Sequence, residues 1–214
     1  MRINNKAKQE TEKRILDAAE RLFTTHGFGE TTTRDIAVEA DIAVGTLFNY
    51  FPTKEALALR LVADAAEKAG QEPSATGESS ALDFGTLEEA LLAHVAAELR
   101  YLRPFRGFVR NVLERSLSPF VAGDGEGDQA TAFRINHIET LRRLTVVYRA
   151  SPPPGPSALT LHLYWTLYLG VLAFWAADNS PNQEDTLALL DQSIRLFVAS
   201  LRTQVLDTET SYVT

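Results

Sequence analysis

Hydrophobic residues recur along this chain at intervals of three and four, the spacing that places them on one face of an α-helix. The first such stripe is Ile15, Ala18, Ala19, Leu22 and Phe23. We predict that this helix is capped by Thr11 and ends near His26, because Gly27 followed by Phe28 is typical of a helix end. Similar stripes recur along the rest of the chain, and no segment has a convincing strand pattern. The sequence therefore predicts an all-α fold of about nine helices.

Residues 32–51 predict two short helices separated by a three-residue break. Thr32 is the predicted cap of the first, and Asp35, three positions on, completes a capping box. The second is predicted from Val44 to Tyr50. This is helix-turn-helix geometry, in which the second short helix presents its amino-terminal residues to the major groove of DNA. On spacing alone, an ordinary helical hairpin with aromatic core residues fits equally well.

A fourth helix, capped by Thr53, precedes several more helical stripes that are separated by loops rich in Gly, Pro and Ser. The segment from Ala158 to Ala177 has no charged residue and reaches the length of about 20 residues that a bilayer span needs. It contains polar residues and lacks a strongly basic flank, so we predict a helix buried in a core or subunit interface instead. We predict that Ser180 caps the last helix, with Pro181 at its first position and Gln183 closing a capping box.

Composition and charge narrow the class of protein. The 214 residues are 45% hydrophobic and 23% charged, as in an ordinary globular protein. The chain has no Cys, which excludes disulfides, thiolate nucleophiles and Cys-ligated zinc. The net charge of −7 lies entirely beyond residue 60, since residues 1–60 carry nine Lys or Arg and nine Asp or Glu. Salt screens charges within about 8 Å, so this acidity does not oppose DNA contact near the amino terminus.

Catalytic motifs are missing from the sequence. It contains no P-loop, dinucleotide fingerprint, nucleophile elbow or two-His zinc helix, so we predict that the protein is not an enzyme and needs no cofactor. A helical small-molecule carrier or adaptor without DNA binding remains the alternative, and it requires that residues 32–54 be buried.

Residues 11–57 resemble the TetR family of transcriptional regulators, through TEKRILDAAERLFTTHGF, TTTRDIAVEADIAVGTLFNYF and PTKEAL. The resemblance implies a DNA-binding domain over residues 1–53, with its helix-turn-helix at about 32–51. It implies a ligand-binding and dimerisation domain over 54–214. The expected function is that of a cytoplasmic, homodimeric repressor that a small apolar or aromatic effector releases from a near-palindromic operator in double-stranded DNA.

Family roles transfer to individual positions of this sequence. Thr32 and Thr33 match phosphate contacts, and Arg34 matches a position that often reads a base. The base-facing side of the recognition helix corresponds to Val44, Gly45, Thr46 and Asn49, and its phosphate clamps to Tyr50 and Lys54. The sequence departs from the family pattern at three positions: Asp41 replaces the usual turn Gly, Ala43 the usual Ser cap, and Phe48 the usual Tyr.

The family architecture also implies an effector pocket and a dimer interface beyond residue 58. Aromatic and histidine residues on apolar helix faces are the pocket candidates: His94, Tyr101, Phe105, Phe108, His137, Tyr148, Trp165 and Tyr168. Each histidine is a hydrogen-bonded core or surface group, a pocket contact or a metal ligand, and we predict no metal site because no ligand spacing is recognised. The interface candidates lie on the last helix: Leu190, Ile194, Phe197 and Leu201.

Overall fold

A computed structural model of the chain describes residues 2–71, 84–112, 127–150 and 155–211, with side chains for 5–71, 84–110, 131–150 and 155–201. The described residues form nine α-helices and no strand. The helices are α1 Arg2–Thr25, α2 Thr33–Glu39, α3 Val44–Tyr50, α4 Lys54–Gly70, α5 Leu87–Leu102, α6 Arg106–Val112, α7 Gly127–Val147, α8 Ala158–Ala177 and α9 Glu184–Ser211. The prediction of an all-helical protein is confirmed.

The first helix is longer than predicted. It begins at Arg2, so Thr11 lies inside it and is not its cap. The Thr11 hydroxyl donates to the Ala7 carbonyl at 3.0 Å, and the helical hydrogen bonds continue through this position. The predicted end is correct, because the helix ends at Thr25 and Gly27 adopts a φ of 90°, which favours glycine.

The chain divides into two compact units that are not continuous in sequence. One comprises Met1–Asp64 with Leu102–Ala132, and the other comprises Ala65–Tyr101 with Phe133–Thr214. The predicted division at residue 53 does not follow these units, because residues 54–64 and Leu102–Ala132 cluster with the amino-terminal helices. Helix α4 carries residues of both units.

The core of the first unit contains a group of phenylalanine rings. Phe23 and Phe28, at the end of α1 and just after it, pack against Phe108 of α6 with ring centroids 5.2 and 5.9 Å apart. Phe105 lies 5.5 Å from Phe108. These edge-to-face and stacked contacts add to the apolar area that the rings bury. They support the helices that present the short pair α2 and α3.

The second unit is built around α8. One side of this helix is buried, and includes Leu161, Tyr164, Trp165, Tyr168 and Leu172, while Leu159, Leu163 and Phe174 on its other side are exposed. Helix α8 is long and apolar enough to span a membrane. The core helix of a soluble protein can have the same length and composition. Its buried aromatic side and its packing against α9 fit the predicted core helix.

The start of the last helix differs from the prediction. A 3₁₀ turn occupies Pro181–Gln183, and Gln183 closes no capping box, because its Oε1 accepts a hydrogen bond from Trp175 Nε1 at 3.2 Å. Two side chains cap the start of α9. The Oγ of Ser180, the predicted cap, accepts from the backbone N–H of Asp185 at 3.2 Å, and the Asp178 carboxylate accepts from the N–H of Ser180 at 2.7 Å and of Thr186 at 3.1 Å. The hydrogen bond from the Thr186 hydroxyl, followed by those from Ser180, holds the pKa of Asp178 far below its ordinary value.

Candidate functional site

The turn between α2 and α3 is a Schellman motif. The N–H of Asp41 donates to the carbonyl of Val38 at 3.1 Å, and that of Ile42 donates to Ala37 at 3.0 Å, the pairing that ends a helix. Asp41 adopts a φ of 53°, which is the left-handed conformation that glycine takes without steric cost. The departure noted at this position therefore places an aspartate where the backbone favours glycine.

The two short helices differ in how they begin. Thr32 caps α2 with a capping box, in which its hydroxyl accepts from Asp35 N–H at 3.2 Å and Asp35 accepts from Thr32 N–H at 2.9 Å. These bonds, that from the Thr32 side chain first, lower the pKa of Asp35. Ala43 has the backbone conformation of a cap, with φ −70° and ψ 145°, but no side-chain hydrogen bond. The recognition helix therefore lacks a stabilising contact that α2 has.

The side chains predicted to contact DNA are accessible. Thr32, Arg34, Gly45 and Asn49 are exposed, and the remaining positions are half-buried: Thr33, Val44, Thr46, Tyr50 and Lys54. The inward side chains Ile36, Ala37 and Leu47 are fully buried and fix the two helices to the unit. The carrier or adaptor alternative required a buried segment, which this arrangement does not provide.

Lys54 makes contacts that the sequence did not reveal. Its Nζ donates to the backbone carbonyls of Phe28 at 2.6 Å and Thr31 at 2.9 Å, and it lies 4.3 Å from the centroid of the Phe28 ring. The ammonium group thus joins the start of α4 to the loop between α1 and α2. Lys54 positions the helix-turn-helix in addition to any contact with phosphate.

A buried polar cluster lies in the second unit. It comprises His94 and Glu98 of α5 and His137 of α7, whose residues are 3%, 2% and 4% exposed. His137 Nδ1 lies 2.9 Å from Glu98 Oε1, and its Nε2 lies 3.0 Å from Tyr164 Oη. His94 Nε2 is 3.6 Å from Glu98 Oε1, which exceeds a hydrogen-bond distance. One ligand atom from each of His94, Glu98 and His137 lies within 4.8 Å of the other two.

Protonation in this cluster follows from burial and charge. Burial lowers the pKa of His94, which favours a neutral imidazole. Burial raises the pKa of Glu98, but the imidazoles of His137 and His94 lower it by more, so the net pKa is below its ordinary value. Burial and the Glu98 charge raise the pKa values of Tyr164 and Tyr168. A neutral imidazole and a carboxylate are the forms in which these side chains ligate metal ions.

The structure brings together only some of the predicted pocket residues. His137, Trp165 and Tyr168 are in ring contact, with His137 and Tyr168 centroids 4.0 Å apart, and His94 lies 5.5 Å from His137. Phe105 and Phe108 pack with Phe23 and Phe28 in the first unit. Tyr101 and Tyr148 are half-exposed. The aromatic cluster of the second unit therefore rests on four of the eight candidates.

Glu98 was not predicted as a site residue. Its position four residues after His94 places both side chains on one face of α5, so a signal was present in the sequence. The prediction that no metal-ligand spacing occurs overlooked this pair. The third member, His137, is 39 positions away in sequence, and only the packing of α7 against α5 brings it to Glu98.

The predicted interface residues are part of the protein core. Leu190, Ile194, Phe197 and Leu201 are buried within a single chain, so their side chains offer little surface to a second copy. They are covered mainly because α9 packs along α8. Leu190 and Ile194 also line a small apolar cleft of about 10 Å³, partly open to solvent, with Val95, Tyr164 and Tyr168.

Two family models cover most of the chain. The model described as "Bacterial regulatory proteins, tetR family" matches residues 15–61, and that described as "Tetracyclin repressor-like, C-terminal domain" matches residues 90–213. The second alone spans more than half of the 214 residues. The chain belongs to the TetR family. It is a DNA-binding transcriptional regulator and not an enzyme.

Individual TetR-family proteins are also similar to this chain in sequence or in fold. The transcriptional repressor KstR of Mycolicibacterium smegmatis is 27% identical over 203 residues, which are 92% of each chain. KstR of Rhodococcus jostii is 44% identical over 52 residues, 24% of each chain. A TetR regulator from Rhodococcus sp. RHA1 has a TM-score of 0.69 at 18% identity, covering 89% of this chain and 97% of its own.

A further solved structure carries a ligand. FadR of Thermus thermophilus, a TetR-family repressor in complex with lauroyl-CoA, has a TM-score of 0.63 at 22% identity, covering 87% of this chain and 92% of its own. At this identity the similarity concerns the fold alone. The two family models confirm the resemblance found in residues 11–57 and extend it to residues 90–213.

Proposed function

We propose that this TetR-family protein is a homodimeric, cytoplasmic repressor that an apolar or aromatic small molecule releases from a near-palindromic operator. The observation that carries the proposal is the accessible helix-turn-helix, with Arg34, Gly45 and Asn49 exposed above a buried face. Its partners are double-stranded operator DNA, the effector and a second copy of the chain, and no membrane is involved.

Gly45 supports close approach of α3 to the bases. A Cβ added at this position would meet no atom within 4 Å, so packing within the chain does not require a glycine. Glycine in a helix lowers stability by about 0.5–1 kcal/mol relative to alanine, and no contact within the chain requires a glycine here. Close approach of another surface, such as the edge of the major groove, explains why a residue without a side chain occupies this position.

Alanine at Gly45 tests this interface with effects of opposite sign. Gly45→Ala raises the stability of the protein without DNA, and it lowers affinity for operator DNA because the methyl group separates helix and bases. The control is Gly107→Ala, at another exposed helical glycine with open space around it, which leaves DNA affinity unchanged. Operator fragments come from genome-wide selection of bound DNA, and fluorescence anisotropy measures affinity. Unchanged operator affinity in Gly45→Ala contradicts the proposed approach of α3.

The proposed dimer interface is the exposed apolar side of α8 and α9. On α8 the exposed positions Leu159, Leu163, Gly170 and Phe174 share one face, and Leu196 is exposed on α9. A two-fold axis through this side would form a four-helix interface. Such a dimer would present its two recognition helices to half-sites about 34 Å, or a multiple of this, apart.

Introducing a charge on the exposed apolar side of α8 and α9 tests the dimer interface. Leu163→Glu and Leu196→Glu bring like charges together in the interface, and we expect monomers with weak operator affinity. The control is Ile135→Glu, at an equally exposed apolar residue of α7, which stays dimeric. Light scattering gives the mass. Dimers in both interface variants contradict this placement.

The proposed effector site is the apolar cleft and the aromatic cluster beside it, including Trp165 and Tyr168. The cleft encloses only about 10 Å³, against roughly 300–1,000 Å³ for typical ligand pockets, so an effector must widen it. An effector releases DNA only if it binds better to a conformation with misplaced recognition helices. Helix α4 is the proposed element that transmits this conformational change to the recognition helices, because it carries residues of both units.

Calorimetry with and without operator tests the coupling. Lauroyl-CoA, the ligand of the FadR relative, and hits from a thermal-shift library are the first probes. Coupling of about 1–3 kcal/mol lowers operator affinity 5–150-fold, and operator lowers effector affinity by the same factor. Trp165→Ala weakens effector binding, whereas His162→Ala, at an exposed residue of the same helix, does not. Effector affinity that operator DNA leaves unchanged contradicts the induction proposal.

A further inference from the structure

The cluster of His94, Glu98 and His137 contains buried polar atoms that the protein itself does not satisfy. Among the described residues, both imidazole nitrogens of His94, Glu98 Oε2 and Tyr168 Oη are buried without a hydrogen-bond partner. Leaving such groups unpaired costs about 1–3 kcal/mol each. The two unpaired nitrogens of His94 beside the Glu98 carboxylate are not needed in a purely structural hydrogen-bonded cluster.

We propose that His94, Glu98 and His137 form a binding site for a divalent transition-metal ion, of which Zn²⁺ is the representative. All three residues belong to the second unit, and the site is independent of the operator and effector proposals above.

The distances between the ligand atoms fit one ion. Zinc binds imidazole nitrogen and carboxylate oxygen at about 2.0–2.2 Å, so two ligands of a tetrahedral ion lie about 3.4 Å apart. The distances of 2.9 Å from His137 Nδ1 to Glu98 Oε1 and 3.6 Å from His94 Nε2 to Glu98 Oε1 bracket this value. Small side-chain rotations are sufficient to place an ion among the three residues.

The surrounding tyrosines provide the outer contacts that metal sites use. A metal-ligating histidine usually donates its other N–H to an oxygen, which fixes the ring orientation. With His137 Nδ1 on the ion, its Nε2–H donates to Tyr164 Oη, 3.0 Å away. Tyr168, whose ring lies 4.0 Å from that of His137, has its buried hydroxyl near Glu98, where it can donate to the carboxylate or to a water on the ion.

The ligand types determine the class of ion. Two imidazoles and one carboxylate suit zinc, iron, nickel or copper, whereas magnesium and calcium prefer oxygen ligands throughout. Two histidines and one glutamate with an open position are also a known zinc ligand set. We therefore expect one Zn²⁺ or Co²⁺ per chain, and no saturable binding of Mg²⁺ at this cluster.

Metal titration of the full chain tests the site. The protein is prepared without a histidine tag and stripped with a chelator, and Zn²⁺ binding is measured by competition with a chromophoric chelator. Glu98→Gln and His94→Gln reduce Zn²⁺ affinity on the order of 100-fold or more, and Tyr168→Phe about 10–100-fold. The control is His162→Gln, at an exposed histidine of α8, which leaves Zn²⁺ affinity unchanged.

Proton NMR of the unmodified protein gives a second measurement that does not depend on variants that fold. The chain contains four histidines, and His26 and His162 are exposed. The expected result is one bound Zn²⁺ per chain that shifts the imidazole signals of His94 and His137 alone. The proposal is overturned by the absence of stoichiometric binding, or by Zn²⁺ that shifts only the exposed histidines. Equal Zn²⁺ affinity in folded Glu98→Gln and wild type likewise overturns it.

Discussion

The missing cap of the recognition helix makes Ala43→Ser an informative substitution. Ala43 already has the cap conformation, so a serine there needs no backbone change to place its hydroxyl near the N–H groups of Gly45 and Thr46. Thr32 accepts such a hydrogen bond from Asp35 N–H in the preceding helix. Replacing alanine with a capping residue contributes typically about 1 kcal/mol. Because α3 has only seven residues, the added bond affects the whole helix.

Hydrogen exchange and thermal unfolding measure this effect. A gain of about 1 kcal/mol corresponds to roughly fivefold fewer openings of α3, which slows amide exchange at positions 45–47 by that factor. If the whole chain unfolds together, the same gain raises the melting temperature by about 2–4 °C. Thr32→Ala, measured without DNA, is the comparison, and we expect it to destabilise by a similar amount.

One combination of results contradicts the role assigned to the missing cap of the recognition helix. If Thr32→Ala destabilises the protein but Ala43→Ser changes neither exchange in α3 nor the melting temperature, the start of the recognition helix is not limited by its cap. A control at the same position, Ala43→Val, cannot accept the hydrogen bond and should not slow exchange in α3.

Three further predictions concern DNA contact and acid stability. Arg34→Ala lowers operator affinity by about 1–3 kcal/mol and relaxes preference at one base pair per half-site, and equal losses on operator and random DNA would exclude a reading role. Lys54→Met weakens binding to all sequences and, since its ammonium bonds two carbonyls, also lowers the free energy of unfolding by about 1.5–3 kcal/mol; unchanged urea unfolding would show those bonds to be dispensable. Asp178→Asn destabilises the protein at neutral pH. Because the folded-state pKa of Asp178 is depressed, its contribution is complete above the unfolded pKa of about 3.9 and disappears as the pH falls below it. The difference between wild type and Asp178→Asn in urea unfolding therefore shrinks in acid, and a constant difference would contradict the cap assigned to Asp178.

The local features of the helix-turn-helix were readable from the sequence because they depend on neighbouring residues. Thr32 and Asp35 are three positions apart and meet as soon as α2 forms. Gly27 ends α1 through its own backbone conformation. Two predicted capping residues form other hydrogen bonds instead. The Thr11 hydroxyl donates to a carbonyl of its own helix, and Gln183 accepts from Trp175.

The burial of each apolar face depended on tertiary structure. The stripe of Leu190 and Phe197 in the sequence indicates that one face of the last helix is covered, but not by what. Packing against α8 covers it within one chain, and this leaves the opposite side of α8 and α9, with Leu163 and Leu196, as the exposed apolar surface.

The sequence by itself determined the helical class, the helix-turn-helix and the family, because these follow from periodicity, capping and short motifs along the chain. Only the tertiary structure brought Glu98 to His137 and separated Phe105 and Phe108 from the aromatic cluster of the second unit. Helical periodicity shows which side chains share a face of one helix. Contacts between residues far apart in the chain depend on which helices pack together and at what register, and no short segment encodes that choice.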